Sequence, residues 1–204
     1  MRDQTITAFL DQLAARVPAP GGGATAALHA AQSAALLAMV ARYSDGEKYD
    51  ARIMNHVIEE ADGIRGDALT LAQADAAAFG AVADAYKLPK HTDEEAQARS
   101  AAIAEALAGA ARPPADVVRL ALLLVSLAEE LLPSGNRNVI TDVAAAAEAA
   151  RAAAVTAQVN IEVNLRGMKD PAVRAELAAM GEVTNEVTAR AGRIVAAVRE
   201  EIGR

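Results

Sequence analysis

The chain has 204 residues, enough for one domain with a substantial core. It is 53% hydrophobic and 23% charged but only 2% aromatic, so it is globular and its apolar content is mostly Ala, Leu and Val. A net charge of −7 with scattered basic residues argues against nucleic acid as a partner, and the lack of cysteine excludes disulfides, thiolate nucleophiles and cysteine metal sites.

Residues 5–16 predict a short first helix with Ile6, Phe9, Leu10 and Leu13 on one face. The run Pro18-Ala19-Pro20-Gly21-Gly22-Gly23 stops it. Proline lacks the N–H and disfavours helix in the residue before it, and three glycines free the backbone. A second, alanine-rich helix starts at once, over about 23–44, with Leu28, Leu36, Leu37 and Val40 as core candidates. Its first N–H groups have no partner within the helix and point at the loop, which suits an anion or a polar carbonyl. A plain turn between two helices is the alternative.

Ser44-Asp45-Gly46-Glu47 reads as a loop. A long third helix over about 50–86 carries Ile53, Val57, Ile58, Ile64, Leu71, Phe79 and Val82, with Gly63 and Gly66 as points of weakness. Leu88-Pro89-Lys90-His91 ends it. Thr92 and Glu95 have the spacing of a capping box and open a fourth helix that reaches about residue 111. Pro113-Pro114 separates it from a fifth, over about 115–132. The loop Pro133-Ser134-Gly135-Asn136-Arg137-Asn138 precedes a sixth over about 139–164, and Gly167 and Pro171 mark the turn into a last amphipathic helix ending near 202. No strand, repeat or linker stands out. The expectation is a single all-α domain over 1–204, with about seven mostly antiparallel helices, several of them long. Its alanine-rich core buries little area per residue and would profit from an oligomer. Polar residues break the apolar stretches before they reach a membrane span, and no leader pattern opens the chain, so a soluble cytoplasmic protein without a membrane partner is expected.

The three histidines, His29, His56 and His91, are isolated and have no metal-ligand spacing. Three polar groups sit oddly among apolar residues. Asp75 lies in an alanine field, where partial desolvation would raise its pKa towards acid–base work, unless it sits on a solvated face. Ser134 to Asn138, followed by Thr141 and Asp142, offers amides that both donate and accept; Asn138 also suits a helix cap. Asn160 and Asn164 share a helix face at i, i+4 and need partners if that face is packed.

Read together, these pieces resemble the formiminotetrahydrofolate cyclodeaminase and methenyltetrahydrofolate cyclohydrolase family over nearly the whole chain. Pro18 to Gly23 is similar to the family's P-x-P-G-G-G-S. Asp75-Ala76-Ala77-Ala78-Phe79 resembles D-x-x-A-F, and Leu88-Pro89-Lys90-His91-Thr92 resembles L-P-K-x-T. Gly135 to Asp142 is similar to G-N-x-N-x-x-S-D, and Asn160 to Leu165 to N-V-x-x-N-L. The resemblance implies an all-helical dimeric bundle with a folate cleft beside the glycine loop. It places the catalytic carboxylate on Asp75, with Asp142 as a second catalytic candidate. Substrate contacts would fall to Pro20, Gly21, Gly22, Gly23, Lys48, Lys90, Asn136, Asn138, Asn160 and Asn164. No metal or redox cofactor is implied.

The chain departs from the family's T-x-G-K-K-K-Y at Ser44-Asp45-Gly46-Glu47-Lys48-Tyr49, with fewer lysines for a glutamate tail, and has Ala24 in place of the serine after the glycines. The leading expectation is hydrolysis of 5,10-methenyltetrahydrofolate to 10-formyltetrahydrofolate. The alternatives are cyclodeaminase activity with ammonia release, and a non-catalytic helical folate-binding protein.

Overall fold

The computed structural model describes residues 3–168 and 170–203; Met1, Arg2, Lys169 and Arg204, and so the extreme ends of the expected 1–204 domain, lie outside the described residues. The elements are α1 (Ile6–Ala14), α2 (Gly22–Arg42), α3 (Ala51–Lys87), α4 (Asp93–Ala110), α5 (Arg112–Ser134), α6 (Ile140–Leu165), α7 (Pro171–Ala178) and α8 (Met180–Ile202), with a 3-10 turn at Arg137–Val139. Among the described residues there is no strand, and the all-α expectation holds. The last expected helix is two, broken at Ala179. Pro113 and Pro114 do not stand between helices but occupy the first turn of α5, where a missing N–H costs nothing. Gly63 and Gly66 do not interrupt α3, which runs through 37 residues. The capping box of α4 forms: Thr92 Oγ1 accepts from the Glu95 N–H, and Glu95 Oε2 accepts from the Thr92 N–H.

The core is built on α2. It packs against α3, α5 and α6, while α6 in turn packs against α5 and α8. Ala24, Ala27, Ala30, Ala34 and Ala38 are fully buried, as are Ala146, Ala150, Ala153, Ala154 and Ala157 on α6. Side chains this small let the two helix backbones approach closely. Ser33 Oγ, buried with them, donates to the Ala146 carbonyl at 2.8 Å and so keeps its polar atom satisfied. Gly22 lies beside Asn160 and Ser33 beside Ala146, so α2 and α6 run antiparallel. Contrary to the expectation of broken apolar stretches, α2 is long and apolar enough by length and composition to cross a membrane, yet most of it is buried inside the bundle. Leu37 and Val40 are core as expected, whereas Leu28 and Leu36 are half-buried. Helix α1 buries no side chain, and Ile6 and Leu10 are 79% and 53% exposed.

Candidate active site

A cleft of about 610 Å³ opens where the start of α2, the second half of α3 and the end of α6 meet. Two consecutive glycines make that meeting possible. A Cβ on Gly23 would stand 2.6 Å from Asp75 Oδ2, with Oδ1 and Cγ nearer still. A Cβ on Gly22 would stand 3.3 Å from Asn160 Nδ2. The glycines are therefore required by close approach of side chains and not by unusual dihedrals: Gly46 is the one described glycine with positive φ, and Gly21 is extended at φ −140°. Gly21 has nothing within 4 Å of its Cβ position, so its main chain borders open space in the cleft.

Asp75 is the sole acid lining this cleft among the described residues. Burial pushes its carboxyl above the ordinary carboxylate range, against the opposing pull of the Ala24 backbone N–H. The desolvation expected from its alanine surroundings is present. One to three turns further along α3, Phe79, Val82 and Tyr86 form a largely apolar wall. Phe79, expected in the core, is 50% exposed and faces the cleft. Across from them, Asn160 Nδ2 donates to the Thr156 carbonyl at 2.8 Å and Asn164 Nδ2 to the Asn160 carbonyl at 2.9 Å. Their amide oxygens make no hydrogen bond among the described residues and so keep their accepting capacity. A flat, partly apolar ligand with N–H donors and a cationic centre fits this set of groups.

The remaining expected site residues lie elsewhere. Pro20 is buried beneath the glycine run, joined to Ala19 by a cis peptide bond. Lys48, Asn136 and Asn138 line a separate depression of about 360 Å³ at the far end of α2. Twenty-two residues of helical rise from Gly22 to Ser44 put the two hollows about 33 Å apart in one chain. Within one chain, then, Asn136 and Asn138 do not share a hollow with the glycine run. Asn136 is spent on local structure: its Nδ2 donates to the Tyr43 carbonyl at 2.6 Å, its N–H to Ser44 Oγ at 2.8 Å, and its Oδ1 accepts the Asn138 N–H at 3.0 Å. Asn138 does not cap α6, whose N-cap is Val139. Asp142 is half-buried in the first turn of α6, where a carboxylate suits the helix dipole, and lies about 27 Å of helical rise from Asn160. Lys90 stands exposed in the turn after α3.

Sequence reading missed Leu107 and Ala110 of α4, Val159 and Val163 of α6, and Arg166 and Gly167 just beyond it, all of which line the cleft. The α6 set was within reach, since it interleaves with Asn160 and Asn164. The α4 pair carried no local signal.

A family model described as formiminotransferase-cyclodeaminase matches residues 5–182. Methenyltetrahydrofolate cyclohydrolase of Methylorubrum extorquens is 40% identical over 177 residues, covering 85% of each chain. Formimidoyltransferase-cyclodeaminase of Rattus norvegicus is 34% identical over 171 residues, 82% of this chain but 32% of that longer protein. The crystal structure of formiminotetrahydrofolate cyclodeaminase from Thermotoga maritima superposes with a TM-score of 0.80 at 29% identity, covering 98% of this chain and 96% of the other. Sequence and fold agree along nearly the full described length, and the chain belongs to the formiminotransferase-cyclodeaminase family.

Proposed function

We propose that this chain is a folate one-carbon enzyme that hydrolyses 5,10-methenyltetrahydrofolate to 10-formyltetrahydrofolate. The observation that carries the reading is Asp75, a partly desolvated carboxylate and the one acid lining the cleft among the described residues. The methenyl bridge is a cationic amidinium. A carboxylate beside it offsets the cation and accepts a proton from attacking water, so that hydroxide adds to the bridge carbon. The protonated Asp75 then returns that proton to N5 as the carbon–N5 bond breaks, and the new hydroxyl loses its own proton to water as the formyl group forms. A carboxyl whose pKa is raised holds the proton more readily between the two steps. Gly21 to Gly23, Asn160 and Asn164 orient the ring system, and the step needs no redox cofactor or metal. This reading leaves Asp142, Lys48, Lys90, Asn136 and Asn138 outside the reacting group's cleft in their own chain.

A second reading, favoured by the likeness to the Thermotoga maritima cyclodeaminase, is release of ammonia from 5-formiminotetrahydrofolate in the same cleft. Purified protein given each folate separately decides between them. Loss of methenyl absorbance without ammonia is expected; ammonia release from the formimino substrate alone would replace the first reading with the second. We further propose a cytoplasmic homodimer. Val155 on α6 is 43% exposed outside the cleft, and α1 leaves Ile6 and Leu10 uncovered. A second copy of the chain is the occupant proposed for these faces. Sedimentation at low micromolar concentration should show a dimer, and a stable active monomer would overturn this.

A further inference from the structure

We infer that Arg166 is the specificity residue of the cleft and holds the carboxylate of the substrate's glutamate tail. The inference rests on the folate reading above and adds to it the group that recognises the tail. Arg166 is the one cation lining the cleft among the described residues, as Asp75 is the one acid. It makes no ion pair or side-chain hydrogen bond among them, whereas nearby Arg99 is already committed, with Nη2 donating to the Tyr86 carbonyl at 3.1 Å. Lys48, in the loop expected to meet the tail, lies in the distant depression, and Lys90, expected among the substrate contacts, stands on an exposed turn.

Position supports the assignment. Arg166 caps the C-terminal end of α6, six residues beyond Asn160. At 1.5 Å per residue this places its backbone about 9 Å further along the helix axis. Asn160 marks the glycine end of the cleft, where Gly22 and, beside it, Gly23 and Asp75 lie. The separation suits a benzoyl amide spacer between a bridged pterin and an amino-acid carboxylate. The apolar wall of Phe79, Val82 and Tyr86 offers a surface for the aromatic part of that spacer. The charges also match: the reacting end of the substrate is cationic and its tail anionic, and the cleft carries an acid and a base in its lining. A guanidinium can meet a carboxylate with two parallel hydrogen bonds, which a lysine cannot.

The test uses a stable ligand, 5-formyltetrahydrofolate, and its counterpart without glutamate, 5-formyltetrahydropteroate. Both are titrated into the parent, Arg166→Gln and Arg166→Lys at low and high salt. The parent should bind the tailed ligand at least about tenfold more tightly than the tail-less one, as expected of a charge-assisted contact. Arg166→Gln should lose that preference, and with it the salt dependence, while binding the tail-less ligand like the parent; Arg166→Lys should keep part. A preference that survives in Arg166→Gln, or equal weakening towards both ligands, would overturn the assignment, as would a parent indifferent to the tail. If the parent shows the expected binding but no turnover of methenyl substrate, the hydrolase reading falls and the tail assignment stands.

Discussion

Replacing Gly23 with alanine should silence the site while leaving the fold in place. The new methyl would occupy the space of the Asp75 carboxylate, whose Oδ2 stands 2.6 Å from the Cβ position. The carboxylate is the end of a rotatable side chain beside an open cleft, so it can swing away without moving the backbone. In doing so it gives up the Ala24 N–H, a loss of about 0.5–1.5 kcal/mol that renewed hydration partly offsets. Thermal or urea unfolding should therefore register a change of about 1 kcal/mol or less. Turnover should fall by about 10²–10⁴-fold, the usual effect of removing a positioned acid–base group. The informative experiment is the cycle with Asp75→Ala. If Gly23 serves to leave room for that carboxylate, Gly23→Ala has no further effect on turnover once Asp75 is gone. In that background it should also stabilise the helix start by up to about 1 kcal/mol, since alanine is the better helix former. Near-parental turnover in Gly23→Ala, or rate losses that multiply in the double variant, would refute the argument.

Asp75→Asn should lose most turnover yet keep much of its ligand affinity, and it should unfold at a higher temperature than the parent at neutral pH. The sign follows from burial: the folded-state pKa is raised, so the stabilising contribution is complete below the ordinary carboxylate pKa and is lost as pH rises through the folded value. The gain in melting temperature should accordingly vanish in acid, and a gain that is independent of pH would contradict it. Asn136→Ala should lower stability by about 0.5–1.5 kcal/mol, because the Tyr43 carbonyl and the Asn138 N–H exchange their partner for water, while folate affinity stays near parental. Denaturation and ligand titration on the same preparation check both halves, and a variant that is stable but cannot bind would return Asn136 to the site.

Most of the helix layout was legible because alanine-rich, periodic segments bounded by proline and glycine leave few alternatives. The last helix was read too long because the break at Ala179 spans a single residue and no proline marks it. The Pro113-Pro114 pair misled because proline is a breaker inside a helix but not in its first turn. At the site, the chemistry of Asp75 and of the Asn160–Asn164 pair could be read from residue type and spacing. Their neighbours could not, since which motif meets which depends on the antiparallel pairing of α2 with α6. That pairing joins the glycine run to Asn160 and sends Asn136 to the opposite end. The glycines were expected to matter for backbone freedom, but they matter for what leans on them.

The burial of α2 also bears on how the chain is made. Its partner α6 arrives late: Ser33 waits 113 residues for the Ala146 carbonyl that accepts its hydroxyl. Until then the ribosome has released a helix with the length and composition of a membrane span, covered at most by α3 and α5 and open on the face that α6 will take. A bundle of helices usually assembles from neighbours in sequence; here α2 meets α3 early, but its second large face waits for α6. The nascent chain is thus exposed to aggregation and to engagement by targeting factors for longer than its simple architecture suggests.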